Sequence, residues 1–135
     1  IDAAAGTPYY DQALAQYQEA KAQADAQFEA AAKELADAKA KIEAGEDYLI
    51  EDMRFHWFLA KCSHNMVVEP LMPIIDAAVI SIANITRKEL LTMTIDTHKE
   101  ILDAVRDRDP QAARSAMSVH LDMNRIFIRQ TKTAR

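Results

Sequence analysis

Three histidines and one aspartate of this chain fall on helix faces that are otherwise apolar. His98 lies in the run Leu91, Ile95, His98, Leu102, Val105, whose steps of four, three, four and three trace one buried helix face. His120 lies in the run Ala113, Met117, His120, then Met123 or Asn124, then Phe127. Asp52 and His56 are one helical turn apart, flanked by Leu49 and Leu59. A single inward imidazole is ordinarily a hydrogen-bonded core residue. Three of them and a carboxylate, spread over three helices, are costly to bury separately because each polar group gives up its water. A shared cation satisfies all four. One Asp and three His suit a divalent transition metal, Zn²⁺ first, with Ni²⁺, Mn²⁺ and Fe²⁺ also matching the donor types. Five- or six-fold coordination would leave room for a carboxylate or hydroxyl of a small ligand. Asn124, one turn beyond His120 on the same face, is a candidate contact for that ligand. Spacing alone leaves a second reading open, in which the histidines are core residues of a metal-free bundle.

Other chemistry is poorly supported. Ferritin-like carboxylate bundles use Glu-x-x-His pairs, but Met53, Lys61, Ile95 and Met117 stand three residues before the four histidines. An enzyme, such as a non-haem metal oxygenase, is therefore not expected. There is no Gly-rich phosphate loop and no Cys-x-x-Cys pair. His64, between Ser63 and Asn65, reads as an exposed turn residue, and Cys62 as a small buried hydrophobe.

Helices must position these residues. Thr7-Pro8 is a capped start. The Ala-, Gln-, Glu- and Lys-rich stretch from Tyr9 to Ala44 is strongly helix-forming, and Gly45 stops it. Its stripe runs through Leu14, Tyr17, Ala24, Phe28, Ala31, Leu35, Ala38 and Ile42, as one helix or as two broken near Ala24 to Gln27. Asp47 opens a helix from Tyr48 to Cys62. The next spans about Val67 to Ile82, with Pro70 in its first turn and Pro73 delaying its start, and is expected to be the most buried. Thr86-Arg87-Lys88-Glu89 reads as a capping box for a helix reaching Arg106, and Asp109-Pro110 starts a last helix to about Arg129. The expectation is an all-α fold, an antiparallel bundle of about six helices forming one domain over residues 1–135.

Composition agrees. Two Gly and four Pro in 135 residues are few for a β-rich fold of this size. A net charge of −5 argues against direct nucleic-acid binding, since phosphate contacts call for a basic face. Arg125, Arg129, Lys132 and Arg135 read as a solvated helix end. The lone Cys62 rules out an intrachain disulfide and fits a reducing cytoplasm, the expected location. No uninterrupted run of about 18 apolar residues occurs, so no membrane span is expected. The chain opens Ile1-Asp2 and reads as a fragment or processed product.

Three separated motifs carry a family resemblance. Asp52-Met53-Arg54-Phe55-His56, with Leu59-Ala60 and Asn65, resembles the D-x-x-F-H…A…N signature of the FCD domain, the effector domain of FadR-type GntR transcription regulators. His98 to Val105 resembles its H-x-x-I-L-x-A-I element. Asp109, Ala112-Ala113, Ala116-Met117 and His120-Leu121 resemble its D-x-x-x-A-x-x-A-M-x-x-H-L element. The resemblance covers about Asp52 to Leu121, and residues 1–50 match only as helices of suitable length. It implies a dimerising helical bundle, a metal site carried over to Asp52, His56, His98 and His120, and a small organic-acid effector such as a hydroxy acid or sugar acid. It also implies control of attached winged-helix DNA-binding domains, which are not expected within residues 1–135. Some relatives lack the metal and bind their ligand directly. Two features depart from the pattern. No arginine precedes Arg54, where relatives often carry one facing the pocket, and His64 replaces a usually small residue. The apolar helix after Val67 offers only Asp76, Ser81 and Asn84 as polar groups, which leaves the metal as the main anion anchor.

Overall fold

The computed structural model describes residues 6–86 and 89–133, and all its regular structure is helical. Helix α1 spans Pro8–Ala44, α2 Leu49–Lys61, α3 Met72–Thr86, α4 Leu91–Arg106 and α5 Pro110–Thr133. A 3-10 turn, Glu69–Leu71, precedes α3.

Helix α1 is a single unbroken element of 37 residues, about 55 Å long. No Gly or Pro interrupts Tyr9 to Ala44, and Lys21–Asp25 and Lys33–Asp37 pair one turn apart along it. The Thr7 hydroxyl accepts from the Tyr10 amide, and Pro8 occupies the first turn. Gly45 ends the helix with φ 73°, in the left-handed region that lets its amide reach Ile42 O.

The bundle consists of two antiparallel hairpins, α1–α2 and α4–α5, with α3 between them in sequence. The α1–α2 register shows in paired contacts: Lys41 Nζ donates to Glu51 at 2.7 Å, and Cys62 Sγ reaches Ala24 O at 3.6 Å. The core joins α1, α2 and α4 through Ala31, Leu35, Phe55 and Leu102, with Phe28, Phe58, Leu59 and Ile95 around it. Only the C-terminal half of the α1 stripe is in that core. Leu14 and Tyr17 are exposed because α2 ends alongside Ala24 and the Ser63–Asn65 turn alongside Ala20.

Several sequence expectations need correction. Helix α3 is not the most buried element: only Met72 and Thr86 are buried, while Ile74 is 68% exposed. It packs on α2 and α5 at the bundle margin and leaves Ile74, Ile80 and Ile85 exposed. The capping box at Thr86 does not start α4. Thr86 is the last residue of α3, and α4 begins at Leu91 after Leu90, without a side-chain cap; Arg87 and Lys88 lie outside the described residues. Helix α5 continues to Thr133. Asp109 does cap it, its Oδ1 accepting from the amides of Gln111 and Ala112 at 2.9 Å each. Glu69–Thr86 is long and apolar enough, by length and composition, to cross a bilayer, with a mean hydropathy of 1.3. Asp76 sits within it, and one side faces the histidines described next.

Candidate metal centre

His56, His98 and His120 each arrive on a different helix. Asp52 and His56 come from α2, where the four-residue step aligns them beside Phe55, which is fully buried. His98 comes from the middle of α4, 1% exposed, and His120 from α5, 7% exposed. His98 is fixed from one side by Phe55, whose ring stacks on it at 4.4 Å between centroids. The other two imidazoles close around it, with centroids 4.7 Å away for His56 and 4.6 Å for His120.

One nitrogen from each of His56, His98 and His120 can be chosen so that all lie within 4.8 Å of one another. Nitrogens bound to one tetrahedral Zn²⁺ lie about 3.4 Å apart, because each Zn–N bond is about 2.1 Å. Inward shifts of about 0.8 Å or less per nitrogen therefore gather the three on one ion. The residues fit a metal on a further count: His98 Nε2 is buried with no hydrogen-bond partner among the described residues. Buried polar atoms without partners are uncommon and costly, and a cation would satisfy this one.

Burial governs the protonation of the site. It holds His56 down to about 4, helped by repulsion from His120, and holds His98 well below its usual value with His56 and His120 adding to the effect. His120 is lowered by burial too. Burial raises the Asp52 carboxyl to about 7. Near neutral pH the imidazoles are thus uncharged and offer lone pairs, the form that binds metals. Asp52 Oδ1 lies 3.4 Å from His98 Nδ1, too far for a firm charge-assisted hydrogen bond, so the carboxylate is not committed to that ring.

Asp52, His56, His120 and Asn124 share a cavity of about 40 Å³, closed on one side by Val79, Ile82 and Ala83 of α3. Asn124 thus borders the same space as His56 and His120, whereas His98 is not part of its lining. Four lining or neighbouring groups were not anticipated: Tyr48, Thr86 and Thr94 in the wall, and Thr97 behind His120. Thr94 and Thr97 had a readable signal, since they lie on the stripe Leu90, Thr94, Thr97, Ile101, which runs beside the His98 stripe. His64 is exposed and apart from the cluster, in a left-handed turn (φ 47°), with Nε2 3.0 Å from Ala20 O. Cys62 is half-buried and bonded to backbone carbonyls.

Compared with known proteins, the chain matches no curated protein and no solved structure. One family does match: the FCD domain, over residues 11–123. That match takes in α2, α3 and α4 whole, most of α1 and α5 as far as Met123, so it reaches back well before the motifs at Asp52. Its span is most of the 135-residue chain, and the three buried histidines lie inside it. The chain thus belongs to the FCD family, the C-terminal effector-binding domain of GntR/FadR-type transcription regulators, a regulatory domain and not a catalytic one.

Proposed function

We propose that this domain senses a small organic acid, of the hydroxy-acid or sugar-acid class, through a divalent transition metal held by Asp52, His56, His98 and His120. Zinc is the first choice on donor type, with nickel, manganese and iron as the other metals of this ligand set. The observation that carries the reading is the convergence of three desolvated, uncharged imidazoles from three helices around the unpartnered His98 Nε2. A metal bound there supplies a Lewis-acidic anchor for a carboxylate or hydroxyl oxygen. Asp52 contributes the one anionic donor, and its release of a proton accompanies loading. Asn124 orients the effector from the α5 side, offering both a donor and an acceptor.

The small cavity supports a role for α3 in the response. About 40 Å³ is close to one water's share of liquid volume and far below the roughly 300–1,000 Å³ of ordinary ligand pockets. Effector entry must therefore displace the Val79, Ile82 and Ala83 wall. Helix α3 can yield because few of its side chains are buried. An effector that binds better to the displaced arrangement shifts the population toward it. In the longer regulator, a homodimer on this reading, that shift biases attached DNA-binding domains.

Elemental analysis of the purified chain tests the metal. About one transition-metal ion per chain is expected, lost in His98→Ala/His120→Ala. If the native chain takes up none after incubation with Zn²⁺, Ni²⁺ or Mn²⁺, the metal-anchored reading is wrong and a metal-free ligand pocket replaces it. Thermal-shift screening of hydroxy and sugar acids against the loaded chain then tests the effector class. Asn124→Ala is expected to weaken the responding acid without loss of metal.

A further inference from the structure

Thr97 is buried, 6% exposed, and its hydroxyl oxygen lies 3.1 Å from His120 Nδ1. The same hydroxyl faces two carbonyls of its own helix, Met93 O at 2.9 Å and Thr94 O at 3.1 Å. A threonine hydroxyl has one proton and two lone pairs. On a helix that proton ordinarily goes back to the carbonyl three or four residues earlier, and here two such acceptors are in range. With the proton spent there, the hydroxyl meets His120 as an acceptor only, so the contact requires the ring to carry its proton on Nδ1.

We infer that Thr97 is a positioning residue that fixes His120 in its Nδ1-protonated form, leaving Nε2 as the one nitrogen of that ring free to bind a cation. The inference rests on the metal reading above and adds to it the group that selects the ligating atom. An imidazole with its proton on Nε2 would present an N–H to the ion and could not bind. A hydrogen bond from the far nitrogen also holds the ring plane and makes the ligating nitrogen more basic. No other described hydrogen bond to the His120 ring competes for Nδ1. Little space exists for a water to replace the hydroxyl: the void bordered by Thr94, Thr97, His120 and Asn124 measures about 10 Å³, at the lower limit for one water.

The test combines a readout without metal and one with it. In the metal-free native chain, long-range ¹H–¹⁵N correlation spectra should show the His120 ring, assigned by its absence in His120→Gln, protonated on Nδ1. A ring protonated on Nε2 overturns the inference without any variant having to fold. Zn²⁺ affinity is then measured by competition with a chelator. Thr97→Val, which keeps the shape and removes the acceptor, is expected to lower affinity roughly 10- to 100-fold, the usual cost of losing such a partner. Thr97→Ser restores the acceptor and should restore both the affinity and the native correlation pattern. Unchanged affinity in Thr97→Val overturns the role of Thr97 and leaves the metal centre standing. Failure of the native chain to bind any metal overturns both.

Discussion

His98 stacks on Phe55, contacts both other imidazoles and keeps one nitrogen without a partner. An unpartnered buried polar atom costs about 1–3 kcal/mol. His98→Leu removes that atom at similar volume. It is therefore expected to stabilise the metal-free chain by about 1 kcal/mol or more while abolishing metal uptake. Thermal denaturation in a chelator checks this, and a lower midpoint for His98→Leu than for the native chain would show that the site is satisfied without metal. Acid should act through the same residues. His56, His98 and His120 all have depressed values in the fold, so below the ordinary value of 6.5, and for His56 down to about 4, the unfolded chain binds more protons than the folded one. Stability of the metal-free chain then rises as pH is raised through that interval. Asp52 works the other way: its value is raised from 3.8 to about 7, so the folded state holds the extra proton between them and stability falls as pH rises. Three imidazoles oppose one carboxyl, and the net expectation is a more stable metal-free chain at pH 6.5 than at pH 4.5. Chemical denaturation at the two values measures the sign.

Among the elements, α1 and α3 depart most from uniform packing. Before Ala20, α1 continues its apolar stripe beyond the reach of α2, Tyr17 being 63% exposed, whereas Ala31 and Ala38 are buried against the bundle. Helical hydrogen bonds without tertiary cover open readily. Amides from Tyr10 to Glu19 should therefore exchange with solvent deuterium much faster than those from Ala31 to Ile42, although both belong to one unbroken helix. Equal protection along α1 would mean that another surface covers the first half in solution. Helix α4 is the opposite case: Thr97, His98, Ile101, Leu102 and Ala104 are buried, so it presents two adjacent stripes, one to the core and one to α5.

At the scale of the whole molecule, three helices meet at one cluster and the fourth wall is α3, of which only Met72 and Thr86 are buried. Loading the site should tie α2, α4 and α5 together. Metal at 100 times its dissociation constant stabilises the fold by about 2.7 kcal/mol, so the thermal midpoint should rise on loading and fall back with a chelator. A subsequent effector should change hydrogen exchange chiefly in α3, within Val79 to Ala83, with α4 little altered. Exchange changes confined to α1 would instead place the effector outside the histidine cavity.

Local chemistry made much of this protein legible from its residues. Thr7-Pro8, Gly45 and Asp109-Pro110 act at short range and mark helix ends without help from the rest of the fold. The 3.6-residue period placed His56, His98 and His120 inward on three helices, and in the structure those helices do converge. What periodicity cannot convey is which apolar face finds a partner. Helix α3 has the most apolar sequence and yet lies at the margin, because burial depends on what neighbouring helices cover and not on composition alone. The same limit hid the continuity of α1, the late start of α4 at Leu91, and Thr97, whose importance comes from a neighbour 23 positions away in sequence. Helix ends and faces were set by interactions within a few residues. The closeness of three imidazoles, the unpartnered nitrogen between them and the size of the cavity were decided by how the two hairpins and α3 pack.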